Sequence, residues 1–129
     1  MQKTTSPSLF FVIFGLLTAC GDPLVGNWVG TEICIASECT SLPAEVDGET
    51  REIFMTVNED FTGELIASTT EGSTTEQEKM DVEFTQKGEN LYDMRIAATD
   101  NSSYKIPCTL FQQELDCSDD TGGYTLIKE

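Results

Sequence analysis

Apolar and polar residues alternate along most of the chain beyond residue 24, with the period of two that is typical of β-strands with one buried face. In segment 51–58, for example, Ile53, Met55 and Val57 share one face. Clusters of turn residues interrupt the alternation roughly every ten residues. Beyond residue 20, no segment shows the apolar period of a helix over a useful length. The pattern therefore predicts an all-β fold of about eight short antiparallel strands.

Consecutive strands usually lie side by side, so this order favours an up-and-down arrangement. We expect residues 25–129 to form one domain, a small antiparallel barrel or meander, with a β-sandwich as the alternative. The residues expected to face inward are bulky, and eight strands hold either packed side chains or one small ligand. A large cavity is therefore not expected. The bulky inward set is Ile53, Met55, Phe84, Tyr92, Met94 and Ile96.

The first strand is predicted over residues 24–35, and simple alternation divides its side chains between two faces. One face carries Val29, Thr31, Ile33 and Ile35, and the other carries Trp28, Gly30, Glu32 and Cys34.

Two later segments lack the alternation. Residues 40–50 contain Pro43 and the pair Asp47-Gly48, and they are predicted to form a loop. Residues 68–78 are polar and low in complexity, so a long mobile hairpin loop is predicted there.

Four cysteines fall into two pairs whose spacing suits short hairpins. A two-residue turn at the centre of each segment sets Cys34 opposite Cys39, and Cys108 opposite Cys117. Both pairs then occupy non-hydrogen-bonded positions, where Cα atoms lie about 4.5 Å apart and a disulfide can form. Of the three possible connectivities, we favour these two local disulfides. The turns that they imply are Ala36-Ser37 and Gln112-Gln113.

The alternative for the cysteines is a redox or metal site. The pairs lack the C-x-x-C spacing, and the chain has no histidine to complete a ligand set. The segment from Asn58 to Gly63 echoes a calcium loop, but it lacks the leading aspartate, and Thr69 stands where the bidentate glutamate belongs. A hairpin turn is expected there, and no metal or cofactor is predicted.

Net charge and composition exclude several functions. The chain has 23 acidic and 7 basic residues, for a net charge of −16. Binding to a phosphate backbone depends on clustered Lys and Arg, so no nucleic-acid partner is expected. Excess acid keeps a protein soluble and self-repelling, which favours a monomer. Attraction to a basic protein or to divalent cations is the sharper alternative.

The absence of histidine also bears on catalysis. It removes the usual general base and the Ser-His and Cys-His nucleophile pairs. A carboxylate pair or a Ser-Lys pair remains conceivable, but no motif marks out either one. We therefore predict a protein that is not an enzyme.

The first residues have the layout of a secretory signal. Lys3 supplies positive charge, residues 9–17 are apolar, and Thr18 and Ala19 are the small residues that precede a cleavage site. The apolar core has nine residues, too few for a membrane-spanning helix, which needs about 20. The segment 17–20, Leu-Thr-Ala-Cys, resembles the lipobox of bacterial lipoproteins.

This resemblance implies that residues 1–19 are a signal peptide and that Cys20 is lipidated, with residues 20–24 as anchor and short linker. Acyl chains such as palmitate would then hold the mature chain, with a net charge of −17, on the outer membrane, at its periplasmic or surface face. Gly21 stands where inner-membrane lipoproteins carry aspartate. The alternative is an ordinary cleavage site with an incidental cysteine, but removing Cys20 leaves an even number of cysteines for pairing.

Gly26-Asn27-Trp28, at the start of the first strand, resembles the Gly-x-Trp motif of lipocalins. In that family the tryptophan closes one end of the barrel, so the resemblance implies a small apolar or amphipathic ligand, with Trp28 as the candidate ligand-binding residue. A core tryptophan of any other β fold is the alternative.

A second functional hypothesis is a protein-interaction module, such as an inhibitor of a basic enzyme that attacks the envelope. The chain is similar in size, anchor and β content to small disulfide-bonded lipoproteins that inhibit lysozyme. The segment from Thr121 to Tyr124 is a distant echo of their signature loop. Electrostatic steering by the acidic domain favours such a partner.

Overall fold

The computed structural model describes residues 22–98 and 100–129; the predicted signal peptide and Cys20 lie outside these ranges. The described chain forms strands and turns, and it contains no helix that is long and apolar enough to cross a membrane. Its ten strands, in chain order, are β1 (Gly26–Ile35), β2 (Glu38–Ser41), β3 (Ala44–Val46), β4 (Glu49–Val57), β5 (Thr62–Glu71), β6 (Thr74–Gly88), β7 (Leu91–Ala97), β8 (Ser103–Phe111), β9 (Glu114–Asp119) and β10 (Gly122–Lys128).

Eight of these strands close into an antiparallel barrel. Strands β4 to β10 pair in chain order, and β10 then pairs with β1. Pairing of Gly26 to Val29 in β1 with Phe54 to Val57 in β4 completes the ring. Outside this contact the two strands separate: the end of β1 pairs with the short strand β2, and the start of β4 pairs with the short strand β3. Both short strands are additional to the barrel. The predicted all-β barrel of about eight antiparallel strands is confirmed.

Side chains fill the inside of the barrel. All six residues of the bulky inward set are buried. The other large apolar side chains that join them in the core are Leu24, Trp28, Leu65, Ile106, Leu110, Leu115 and Leu126. Burying one such side chain stabilises a fold by about 1.5–3 kcal/mol, so this packed interior is the main source of stability.

A β-bulge at Thr31 changes the orientation of the first strand. Thr125 pairs with Glu32, whereas the next residue, Leu126, pairs with Gly30, so Thr31 is skipped in the pairing register with β10. An extra residue in a strand moves the side chains after it to the opposite face. Ile33 therefore packs against the core on the same side as Trp28. The prediction that these two residues occupy opposite faces is wrong.

The polar segment 68–78 is a paired hairpin and not a loop. Strands β5 and β6 pair continuously as far as Glu71 and Thr74. Gly72 opens the two-residue turn between them with a φ of 62°, a conformation that favours glycine at this position. The prediction of a loop relied on the lack of apolar residues, but threonine has a high strand propensity, and backbone pairing needs no buried side chain.

The segment 40–50 also contains more structure than predicted. It includes the end of β2, all of β3 and the start of β4. Asp47 and Gly48 both have positive φ values, 54° and 84°, as the two central residues of a tight hairpin turn do. The prediction of a loop holds only for the connections between these short strands.

Both predicted disulfides are present, Cys34–Cys39 and Cys108–Cys117, each with its Cα atoms 4.0 Å apart. The predicted registers are also confirmed, with Ile35 opposite Glu38 and Phe111 opposite Glu114. Cys108 and Cys117 point into the barrel and are buried, whereas Cys39 is exposed at the edge. Each disulfide closes a short loop, for which chain entropy gives about 2–3 kcal/mol.

Gln112 has an unfavourable backbone conformation that substitution should relieve. It occupies the first central position of the β8–β9 turn with a φ of 57°, in the left-handed region. A residue with a Cβ pays roughly 1–2 kcal/mol to adopt that region, and glycine avoids this cost. Glycine in turn loses more conformational freedom on folding, which reduces the gain by about 0.5–1 kcal/mol. We expect Gln112→Gly to raise the free energy of unfolding by about 0.5–1 kcal/mol in urea denaturation.

Gln113→Gly is the matched control, because Gln113 lies in the same exposed turn without a positive φ. It should leave stability unchanged or lower it slightly. Equal losses in both variants would contradict the role assigned to the conformation of Gln112.

Candidate binding surface at the open end of the barrel

The two ends of the barrel differ, and one of them is plugged. Trp28 is 1% exposed, and its indole Nε1 donates a hydrogen bond of 2.9 Å to the carbonyl oxygen of Leu24. Leu24 is itself fully buried, and the ammonium group of Lys128 lies 5.8 Å from the centre of the indole ring. The chain that enters β1 thus closes this end, which we call the closed end.

Asp22 fastens the plug to the opposite wall. Its Oδ1 accepts hydrogen bonds from the backbone amide of Leu24, at 2.9 Å, and from the hydroxyl of Tyr92, at 3.2 Å. Burial, together with the charge of Asp22, raises the pKa of Tyr92 to about 12, so the phenol keeps its proton, and this hydrogen bond, even at an alkaline pH of about 10. The described part of the segment assigned to a linker, Asp22 to Leu24, therefore packs as part of the domain.

The opposite end is open and carries a shallow groove of about 370 Å³. Four strands contribute to it: the end of β1, the start of β8, the end of β9 and the start of β10. We call it the mouth groove, and its main lining residues are Ile33, Ile35, Tyr104, Ile106, Asp119 and Tyr124.

Apolar and aromatic groups form most of the mouth groove. Ile35 is 70% exposed and Tyr104 is 47% exposed, so both present apolar surface to solvent. Burial raises the pKa of Tyr124 to about 12, with smaller contributions from Tyr104 and Glu78. The hydroxyl of Tyr124, like that of any tyrosine, is protonated at neutral pH and adds a polar group to the lining of the groove.

A carboxylate lies on the rim of the groove. Asp119 Oδ1 accepts hydrogen bonds from the hydroxyl of Thr121 at 2.7 Å, from its amide at 2.8 Å and from the amide of Gly122 at 3.2 Å. These bonds, that of the Thr121 hydroxyl first, hold the pKa of Asp119 below its usual value. The rim is therefore negatively charged and suits a basic group.

Two glycines at the start of β10, Gly122 and Gly123, let the backbones of β1 and β9 lie close to this strand beside the groove. A Cβ on Gly122 would overlap the carbonyl oxygen of Cys34, and one on Gly123 would overlap that of Cys117. Strand β10 thus lies tightly between the two disulfide-bonded hairpins. The mouth groove is therefore built on covalently braced strands and not on a long flexible loop.

A second, more polar groove of about 560 Å³ lies on the outside of the barrel, across β4 to β7. Glu64, Asp81, Glu83 and Arg95 are among its lining residues, and Arg95 forms a salt bridge of 2.6 Å with Glu83. The pair is well exposed, and such pairs contribute little.

The structure separates the residues that the sequence singled out. Trp28, the candidate ligand-binding residue, lies at the closed end and does not line the mouth groove. Glu32 lies beside the Cys34–Cys39 disulfide, but these two sulfurs are bonded to each other, so no thiolate is available to a metal. The lining residues Ile33, Tyr104 and Tyr124 come from three separate parts of the sequence. Only the two tyrosines offered a signal in the sequence, an aromatic residue near the start of a predicted strand.

No protein-family model, curated protein or solved structure matches this chain.

Proposed function

We propose that this protein is a non-enzymatic lipoprotein of the bacterial envelope whose mouth groove binds a basic protein. The observation that carries the proposal is the position of the groove: it lies at the open end of a barrel whose interior is already occupied by side chains. Tyrosine is one of the residues most often found at the anchoring positions of protein interfaces, and the exposed Ile35 adds apolar surface beside Tyr104.

The charge of the domain supports a basic partner. Residues 22–129 contain 23 acidic and 6 basic residues, because Lys3 is the only other charged side chain of the sequence. The field of such a surface attracts a positively charged protein and speeds its association. Asp119 on the rim supplies a fixed negative charge beside the apolar floor of the groove.

A small apolar or amphipathic ligand is the second candidate, and the apolar lining of the groove favours it. Ligand pockets typically measure about 300–1,000 Å³ and enclose most of the ligand. The mouth groove, with about 370 Å³, lies near the lower limit and is open to solvent. A protein side chain or loop suits this shape better than an enclosed small molecule.

Anchoring through Cys20 and an outer-membrane location remain part of the proposal. The resemblance of residues 17–20 to a lipobox supports them. The two disulfides support them further, because disulfides persist in oxidising compartments such as the bacterial periplasm.

Binding to lysozyme, a basic enzyme that attacks the envelope, tests the proposed function. The secreted domain with Cys20→Ser is titrated by calorimetry at about 0.01 M and 1 M salt, where the Debye length falls from about 30 to 3 Å. We expect binding at low salt and a large loss at high salt. Ile35→Ser and Tyr104→Ser should each weaken binding at least about tenfold, which corresponds to about 1.4 kcal/mol.

Phe111→Ser is the matched control, because Phe111 is 70% exposed like Ile35 but lies at the closed end. It should leave the affinity unchanged. Equal effects of Ile35→Ser and Phe111→Ser would contradict a site in the mouth groove. Binding of hydrophobic small molecules that persists at high salt, without lysozyme binding, would favour the second candidate.

A further inference from the structure

The described chain begins at the closed end, on the side of β7. Asp22 is held there by its hydrogen bond to Tyr92 of β7. Cys20 precedes Asp22 by two residues, so its backbone lies within about 7 Å of Asp22 in any conformation, at about 3.6 Å per residue. Acyl chains on Cys20 would therefore hold the closed end of the barrel at the membrane surface.

Three large apolar side chains are exposed on this same part of the barrel. Phe111 is 70% exposed, Leu91 is 48% exposed and Ile127 is 37% exposed. Leu91 is the first residue of β7, directly before Tyr92. Phe111 and Ile127 flank Glu114 on the outer surface of β9. Each neighbouring turn is hydrogen-bonded to an adjacent strand, from Leu110 N of β8 to Asn90 O and from Lys128 N of β10 to Gln113 O, both at 2.9 Å.

We propose that these three side chains, Leu91, Phe111 and Ile127, form a membrane-docking face that rests at the level of the lipid headgroups. The inference rests on the proposed lipidation of Cys20, which supplies the tether. A tether of two residues limits the gap between the closed end and the lipid to about 7 Å, so these apolar side chains can reach the interface and gain by leaving water. In this orientation the mouth groove, at the opposite end of the barrel, faces away from the bilayer.

The charges around the docking face define the kind of lipid that it fits. Glu114 lies between Phe111 and Ile127, and Asp116 follows it on the same outer surface of β9. Glu89 and Glu129 lie in an adjacent turn and chain end, with Lys87 and Lys128 as the nearby cations. An acidic surround is repelled by anionic headgroups, whose surface potential is negative. The docking face therefore suits a zwitterionic lipid surface.

Fluorescence of the lipidated protein in vesicles tests the inference. The full mature protein is purified with its acyl chains, confirmed by mass spectrometry, and reconstituted into zwitterionic phosphatidylcholine vesicles that carry bromine near the top of the acyl chains. Phe111→Trp and Ile35→Trp are compared as matched variants, since both positions are 70% exposed and lie at opposite ends of the barrel. Trp28, the one tryptophan of the sequence, gives the same background in both.

We expect the added tryptophan of Phe111→Trp to shift its emission to the blue and to be quenched by brominated lipid. The added tryptophan of Ile35→Trp should emit as in water and be quenched by aqueous iodide. Equal exposure of both residues to iodide, or lipid quenching of Ile35→Trp, would overturn the docking face. A protein without acyl chains would instead refute the proposed anchor, and mass spectrometry separates this failure from the other.

Discussion

Trp28→Ala should lower the free energy of unfolding by about 3–5 kcal/mol, the range for removing a large buried aromatic side chain. The residue is 1% exposed and lies between the plug residue Leu24 and the ammonium group of Lys128. Domains of this size are stable by only about 5–15 kcal/mol, so the variant should lose a large share of its stability. Urea denaturation followed by far-ultraviolet circular dichroism measures the loss without relying on tryptophan fluorescence.

Trp28→Phe is the matched control for this variant. It keeps an aromatic ring in the core but leaves the Leu24 carbonyl oxygen without its hydrogen bond, which costs about 1–3 kcal/mol. The alanine variant should therefore be clearly less stable than the phenylalanine variant. A loss of less than about 1 kcal/mol for Trp28→Ala would contradict a packed closed end.

Gly63→Ala should also destabilise the barrel strongly. Gly63 pairs with Val57 across β4 and β5, and a Cβ on it would overlap the carbonyl oxygen of Thr56. Because the obstacle is backbone, relief requires the two strands to move apart, and overpacking of this kind costs about 1–3 kcal/mol or more. We expect a loss of about 3 kcal/mol, the upper part of that range, in chemical denaturation.

Gly88→Ala provides the comparison for Gly63. A Cβ on Gly88 would meet the Leu91 side chain at 3.5 Å, an ordinary contact distance. This variant should keep the wild-type stability to within about 0.5 kcal/mol. If Gly63→Ala and Gly88→Ala lowered the free energy of unfolding equally, the close approach of Thr56 to Gly63 would not be the reason for the loss of stability.

The two disulfide-bonded hairpins were predictable because the spacing of their cysteines is local information. The spacing of Cys108 and Cys117 about Gln112-Gln113 fixed the register of β8 and β9, and the structure has this register. Alternation likewise placed Ile53 and Met55 inside the barrel. Side chains in a strand repeat every two residues, so a short segment is sufficient to assign its faces.

Apart from the polar strands within 40–50 and 68–78, which lack a buried face, the features that the sequence did not predict depend on single insertions or on distant contacts. The bulge at Thr31 adds one residue to β1, and nothing in the local pattern marks it. The mouth groove forms only when Ile33, Tyr104 and Tyr124 meet at the end of the closed barrel. The plug formed by Asp22 to Leu24 has no sequence signal, because Leu24 is a single apolar residue whose burial depends on the completed barrel wall.

The order of the strands has a consequence for how the protein folds. Strand β1 leads the barrel, yet one of its neighbours is β10, the last strand of the ring. During synthesis or export, one edge of β1 therefore stays unpaired until nearly the whole chain has emerged. An unpaired strand edge can pair with another chain and so promote aggregation. Pairings between distant segments also slow folding, because a long loop must close before any contact is gained. We therefore expect barrel closure, and not the formation of the hairpins, to limit the folding rate.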